Sequence, residues 1–519
     1  MFQIRIALSL FFASGFAWGQ LTRGFISGTV QDPSGSIIPG ATVKTVNSAT
    51  NLERLTTTND SGLYRFVGIE PGTYSVEFTK AGFETKRVQN IEVSTAQEVT
   101  INQILQIGQT TNVVEVQDSP PGVELSKSSA TIERTLPMKF IQNVPLTAAL
   151  RDVNQLALLA PTSSRGPGST GISANGQRAR NNNFMLDGID NNDPSVTIAN
   201  NRAIPEAISE FQVQTAAYSA EYGRNSGAQI LASTRGGTNQ FHGEAFDYYN
   251  GNWLTPVTLP NKRNGVLKTP RFNQNQAGGD FGGPVIKNRT FFFALLEANR
   301  RREAPSAGNA TSATIPTPAG FAALTGVPLG PDETTAGRQA ALGTLGFLPS
   351  IYARNPGLTN VRNVTVNGSP IQFGTVSIPL ANPSDFWYGT ARIDHHLSAR
   401  DNIFYRVTTD HRTQPDVVSN LEFGSLFSGG QEIFRQNHVI SETHVFSPRL
   451  TNQFSFGYIR GLLAFPENDP KSTSTGISGA FDIGGLSNFP QGRVQNEFQF
   501  TDSLAYQVGR HALKVGADI

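Results

Sequence analysis

Residues 73–79 alternate strictly, with Tyr74, Val76 and Phe78 on one side and Ser75, Glu77 and Thr79 on the other. Successive side chains of an extended strand point to opposite faces, so the run predicts a half-buried strand. Similar short runs at 25–30, 41–46, 63–66 and 98–105 are broken by DPSG, IPG, NDSG and EPG, where glycine and proline supply the backbone angles of tight turns. The pattern predicts a small β-sandwich over 20–107. A polar linker at 108–128 holds Pro120 and Pro121 and one short extended apolar piece, TNVVEVQ at 111–117. The texture then changes. Leu150, Val153, Leu156 and Ala157 recur at helical spacing over 147–159, which stops before Pro161. A short apolar run follows at 204–213, so 129–238 reads as a mixed α/β unit.

From Phe241 onward the pattern is one of paired strands. Trp387, Gly389, Ala391 and Ile393 share one side of a run whose other side is Tyr388, Thr390, Arg392 and Asp394. Its return strand groups Ile403, Tyr405 and Val407. A second pair stacks Phe454, Phe456 and Tyr458, and a third sets Leu513, Val515, Ala517 and Ile519 opposite Lys514, Gly516 and Asp518. Turns within pairs are short. Between pairs lie long polar excursions, the longest from 300 to 383. Alternating short turns and long loops between apolar-out, polar-in strands are the pattern of a transmembrane β-barrel, although a soluble sandwich alternates in the same way.

Composition sharpens this picture. Among 519 residues, 51 Gly and 30 Pro favour strands and turns over long helices. Lys+Arg (41) nearly equals Asp+Glu (40), which gives no broad attraction for nucleic acid. The first residues, MFQIRIALSLFFASGFAWGQ, place Arg5 before an apolar stretch and a small-x-small site at Ala17, Trp18 and Gly19. That is the layout of a secretory signal peptide spanning 1–19. An exported chain with no cysteine has neither a disulfide framework nor a thiolate metal site.

Candidate chemistry is sparse. Residues 181–194, NNNFMLDGIDNNDP, space Asp187, Asp190 and Asp193 three apart. A calcium loop needs acidic or amide side chains at alternate positions and a glycine in place. From Asp187 those positions hold Ile189 and Asn191, so the stretch reads as a turn in which Asp and Asn bond their own backbone. The seven histidines begin no H-x-x-E or H-E-x-x-H, the spacing a zinc hydrolase would require. His395 and His396 read as solvent- or lumen-facing side chains on a hairpin. A formal GxGxxG at 166–171 contains Pro167 and lacks the strand and helix of a dinucleotide site. No catalytic residue, metal ligand or cofactor is expected.

Two stretches, GTVQDPSGSIIPGATV (28–43) and NDSGLYRFVGIEPGTYSVEFTKAGF (59–83), resemble the carboxypeptidase regulatory-like domain. That resemblance implies a prealbumin-like sandwich of the carbohydrate-binding-like superfamily. The N-x-x-LDG loop at 183–188, ISEFQVQ at 208–214, the EYG turn at 221–223 and GAQILASTRGGTN at 227–239 resemble the plug domain of TonB-dependent outer-membrane receptors. Thr215, Ala216, Ala217 and Tyr218 stand where the usual plug has Arg-Gly-Pro, which fits better the branch with an amino-terminal regulatory-like domain, often called Oar-like. The expected fold is therefore mainly β: the sandwich (20–107), a linker (108–128), a mixed α/β plug (129–238) and an incomplete transmembrane antiparallel β-barrel (239–519). A lumen wide enough for a plug takes about 22 strands, more than 239–519 supplies, so the chain reads as the amino-terminal part of a longer protein. What the resemblance implies is energised transport or binding of a ligand across the bacterial outer membrane, with no enzymatic step. Its partners would be outer-membrane lipid, an extracellular ligand and the inner-membrane protein TonB. TonB adds a strand to an exposed extended segment, and Thr111, Asn112, Val113, Val114, Glu115 and Val116 stand where the family has that TonB box. An ordinary linker strand is an equal reading of those six residues. A non-transporting surface adhesin whose sandwich binds carbohydrate is the alternative, and the residues leave peptide, oligosaccharide, polysaccharide and metal chelate equally open as ligands.

Overall fold

The computed structural model describes residues 23–95, 97–108, 113–117, 131–144, 146, 151–166, 171–195, 198–223, 225–257, 259–263, 267–269, 271–304, 306–380, 383–414, 430–447, 449–466, 475–477, 481–483, 490–509 and 511–519. The expected signal peptide, Thr111, Asn112 and Leu150 lie outside them.

The amino-terminal unit is a two-sheet sandwich. One sheet orders Leu63–Ile69, Gly24–Gln31 and Glu98–Thr100, with Gln103–Ile104 also on Gly24–Gln31. The other orders Glu53–Thr57, Thr42–Asn47, Gly72–Thr79, Thr85–Val93 and Val113–Gln117. Tyr74, Val76 and Phe78 point into a core with Ile26, Val30, Val43, Tyr64 and Phe66, while Ser75, Glu77 and Thr79 turn outward. Each such fully buried side chain contributes roughly 1.5–3 kcal/mol. Gly28 has no alternative, because a Cβ there would sit 1.9 Å from the Ile101 carbonyl oxygen. The extended piece in the linker is the edge strand Val113–Gln117, paired in parallel with Thr85–Val93 from Thr85↔Val113 to Gln89↔Gln117.

A five-stranded mixed sheet follows, ordered Ile132–Pro137, Ile208–Ala216, Gln229–Thr234, Asn183–Leu186 and Ile189–Asp190. Its core joins Leu136, Ile141, Val153, Leu156, Phe184, Phe211, Val213 and Ile230. The helix expected over 147–159 is a seven-residue 3-10 helix, Val153–Leu159. It is capped by Asp152, whose carboxylate accepts the Asn154 N–H, and buries Val153, Leu156 and Ala157.

The remainder is dominated by one nine-stranded antiparallel sheet. Its order is His242–Gly251, Phe272–Ile286, Thr290–Glu303, Ser384–His396, Asp401–Gln414, Gln431–Ser447, Leu450–Phe465, Gln491–Val508 and His511–Asp518. The first and last of these are its two edges, so the wall is not closed. Most strands exceed the ~9–11 residues that cross a bilayer. Trp387, Ile393, Tyr405, Ile440, Phe454, Phe498, Phe500, Leu513 and Val515 are exposed on the outer face. Thr390, Asp394, Arg406, Asp410, Asn437, Ser441, Gln453, Thr501 and Ser503 are buried on the inner face. Among the described residues no helix is long and apolar enough to cross a membrane.

One expectation is corrected. Much of the polar excursion at 300–383 is folded: the wall strand continues to Glu303, and Ser306–Pro316, Ser369–Leu380 and Thr359–Val366 form a sheet of their own. Helices Pro318–Ala323, Thr335–Thr344 and Leu348–Arg354 accompany it, and Ile315, Leu324, Leu348, Ile371 and Phe373 form a separate core. The apolar residues were there to be read. Their spacing is irregular because three short helices and three strands share one small core.

Candidate functional site: the seat of the plug

The mixed sheet lies against the inner face of the wall, and its loop 183–193 is the most heavily anchored part of it. Asn183–Leu186 turns back through Asp187 (φ 51°) and Gly188 (φ 82°) into Ile189–Asp190. A left-handed residue is uncommon outside glycine, and Asp tolerates it better than most. The turn aims Asp187 at the wall. Arg406, fully buried, donates through Nε to its Oδ2 at 2.9 Å, and Thr234 donates its N–H and hydroxyl at 2.8 Å each. Arg406 is itself held by the Asn437 carbonyl and side-chain oxygens (2.8 and 2.7 Å) and donates to the Leu186 carbonyl at 3.1 Å. A second wall guanidinium, Arg392, lies 3.5 Å from Asp187 and is fixed by Asp394 at 2.7 Å. Burial would raise the Asp187 carboxyl, but Arg406, Arg392 and the Thr234 donors hold it below its ordinary value.

The other two aspartates do comparable work. The Asp190 N–H donates to Gln499 Oε1 at 2.8 Å, and Asp190 Oδ1 accepts the Asn192 N–H at 2.7 Å. Asp193 receives Arg493 at 2.7 Å and lies 3.8 Å from Arg435. The turn reading of 181–194 thus meets the structure, with an addition the sequence did not reveal: the Asp187 and Asp193 carboxylates are taken by wall arginines. The visible trace of those partners was the polar side of each alternating strand, where Arg392 had already been placed.

Further polar contacts ring the same interface. Asn201 and the Arg202 N–H donate to Asp410 (3.2 and 3.3 Å), and the Arg202 guanidinium stacks 3.2 Å from the Phe386 ring centroid. Arg151 pairs with Glu206 at 2.7 Å, Tyr248 donates to the same carboxylate at 2.9 Å, and Arg235 meets Asp280 at 3.1 Å. Arrays of buried ion pairs and hydrogen bonds hold geometry tightly, while the desolvation of both partners leaves their net contribution modest. Two small apolar clusters share this interface, Ile204 and Ala207 with Phe293, Leu295, Phe386 and Tyr388, and Ile189 with Phe404 and Val439, so the seat combines apolar packing with polar contacts that fix register.

The histidine pair splits. His396 is buried toward the lumen beside Asn402, and His395 bonds Thr290. Asp401, Glu442 and His444 approach one another near two short turns, half-buried, with His444 on Asp401. Of the expected TonB-box residues, Val113, Val114, Glu115 and Val116 fall in the edge strand of the sandwich, away from the plug seat.

Comparison with known proteins fits this architecture. Residues 25–106 match the carboxypeptidase regulatory-like domain, residues 124–228 the TonB-dependent receptor plug domain, and residues 233–519 the outer membrane beta barrel domain. The chain is 32% identical over 302 residues to the TonB-dependent transporter Oar of Myxococcus xanthus, a match covering 54% of this chain and 27% of that protein. Among solved structures, the outer membrane transporter YddB from Escherichia coli aligns with a TM-score of 0.46 and 12% identity over 74% of this chain and 47% of its own. The siderophore receptor PirA from Acinetobacter baumannii aligns with the same score and identity over 75% and 47%. The chain thus spans about a quarter of the length of Oar and about half that of the structural neighbours. With its barrel in the outer membrane and its plug and sandwich on the periplasmic side, the chain belongs to the outer-membrane β-barrel family of TonB-dependent receptors, in the Oar-like branch that carries a carboxypeptidase regulatory-like domain.

Proposed function

We propose that the protein of which this chain is part takes up a ligand across the outer membrane by TonB-driven displacement of the plug, without any bond-breaking step. The plug seat carries this reading. Asp187, Asp193 and Asp410 join plug to wall through charge pairs and hydrogen bonds, contacts that water can replace one at a time as the plug is drawn away. The apolar contacts beside them are two small clusters around Ile204 and Ile189. Ligand selection belongs to the outer loops and the upper face of the plug, and the folded 306–380 unit is the largest outer element available for it.

Thr111, Asn112, Val113, Val114, Glu115 and Val116 are the proposed TonB box. The segment lies between sandwich and plug, and its described part is already extended. Among the described residues it ends the sheet order, so one of its backbone edges pairs with Thr85–Val93 and no described strand pairs with the other, the edge that strand addition would use. The test is binding of a synthetic 109–118 peptide to the purified periplasmic domain of TonB, alongside in-frame deletion of 111–116. The reading expects saturable binding and, for the deletion, normal surface assembly with loss of TonB capture. Absence of peptide binding removes the box assignment. TonB capture that survives the deletion does the same, and a full-length protein never captured by TonB points to the adhesin.

A further inference from the structure

The sandwich does not hang free below the barrel. Its loops meet the short-turn ends of the wall strands, which face the periplasm in barrels of this kind. Asn239 N–H donates to the Ala49 carbonyl at 3.0 Å, and Asn51 donates to Asn288 Oδ1 at 3.2 Å. Further round the sheet, Asn402 donates to Glu70, and Arg65 reaches Gln507 at 3.0 Å. Gly68 (φ +68°) brings sandwich backbone so near the wall that a Cβ there would stand 3.1 Å from Thr451 Cγ2. The contacts run from residue 239 to residue 507, across nearly the whole width of the sheet.

Two further features tie this seat to the plug. Thr95 of the sandwich donates its N–H to both oxygens of Glu210 (3.1 and 3.0 Å) and its hydroxyl meets Ser233 at 2.9 Å. Glu210 and Ser233 belong to neighbouring central strands of the plug sheet. On the wall side, half-buried Glu70 pairs with buried Arg23 of its own domain and lies in the field of His396 and Arg392; Arg392 also approaches Asp187 of the plug.

We propose that the regulatory-like sandwich is a periplasmic lid: seated at once on the wall's short-turn rim and on the underside of the plug, it closes the route below the plug and must leave its seat before that route opens. The hydrogen bonds of the lid lift by exchange with water, while Phe25 and Val67 add a small apolar contact with Ala505 of the wall that is exposed when the lid leaves its seat.

Residues 1–519 contain no cysteine, so with any cysteine beyond them replaced by serine, Ser233→Cys places one thiol under the lid at a position whose hydroxyl already meets Thr95. The full-length protein carrying it is reacted with a small maleimide and with a polyethylene-glycol maleimide of several kilodaltons, each rate normalised to the exposed Ser36→Cys. A lid limits the large reagent to moments of opening, so its normalised rate should fall about tenfold or more below the small reagent's, as expected when only a minor open population reacts. Asn402→Ala, which leaves the Arg23–Glu70 pair intact, and Gln507→Ala, which removes the wall partner of Arg65, loosen the wall seat, and either should close that gap. Folding is checked by heat-modifiable mobility of the barrel. Equal rates for both reagents on the unaltered seat overturn the proposal, as does a gap unchanged in both variants with the barrel folded.

Discussion

Asp187 shows how one residue connects turn chemistry to assembly. Its left-handed backbone makes the turn, its carboxylate satisfies Thr234 within the plug, and the same carboxylate neutralises a wall arginine with no exposure to water. Removing one member of a buried pair strands the other, at a cost of roughly 3–5 kcal/mol. Asp187→Ala should therefore raise amide hydrogen exchange across 183–190 by orders of magnitude while exchange in the wall strands stays slow. Glu210 sets a pH dependence at the other end of the plug. Burial is the main cause that pushes its carboxyl up to about 7 from an ordinary 4.5; Glu133 adds to the rise, and hydrogen bonds from Thr95 and Ser94 oppose it. The folded junction therefore holds a proton that an open one releases between those values. Its stabilising contribution is complete below about 4.5 and is lost as pH rises through about 7. A shift of this size corresponds to about 3 kcal/mol. Hydrogen exchange at 94–97 should accelerate from pH 5 to pH 8 beyond its intrinsic trend, and Glu210→Gln, neutral throughout, should flatten the profile. A profile equally steep in Glu210→Gln would assign the pH response to another group.

At the scale of elements, the wall hairpins behave as closed units, and the 306–380 insertion behaves as another. Thr290–Glu303 and Ser384–His396 remain paired as far as Arg301↔Ser384, so the ends of the insertion already lie side by side. Its core of Ile315, Leu348, Ile371 and Phe373 is its own. Loop-closure entropy changes slowly with length. Replacing 306–380 by a short Gly/Ser turn should thus leave a folded, heat-modifiable barrel with a melting temperature within a few degrees of the parent, measured by circular dichroism. The same comparison explains what could be read in advance. Strict alternation at 387–394 and 73–79 placed Trp387 outward, Thr390 inward, and Tyr74, Val76 and Phe78 in the sandwich core, because a strand has one inside and one outside. The helical spacing at 147–159 promised more helix than Val153–Leu159, since the apolar face is shared with a sheet and needs only two turns. The ring of plug-to-wall pairs was hidden. Asp187 and Arg406 are 219 residues apart, and nothing local to either one indicates the other.

For the molecule as a whole, the order in which parts yield under tension matters more than their separate stabilities. Val113, Val114, Glu115 and Val116 of the proposed TonB box are stored, together with Gln117, as a parallel edge strand on the sandwich in register with the first five residues of Thr85–Val93, and the first described strand of the plug, Ile132–Pro137, is itself an edge strand on Ile208–Ala216. Edge strands have one bonded neighbour and can be peeled bond by bond, whereas the loop at 183–193 is anchored on several sides. If TonB captures 111–116 in competition with Thr85–Val93, it must first draw the segment from its storage site, and the proposed binding is then weaker for the chain than for the free segment in proportion to the fraction released. The 109–118 peptide should therefore bind the periplasmic domain of TonB about tenfold or more tightly than the full-length protein does, and Gln89→Pro, which puts a residue without an N–H opposite Gln117 in the storage pairing, should bring the protein toward the peptide. Isothermal titration measures both. Equal affinities for peptide and unaltered protein would mean that the open edge of Val113–Gln117 takes the partner's strand directly, with the sandwich still attached to the segment.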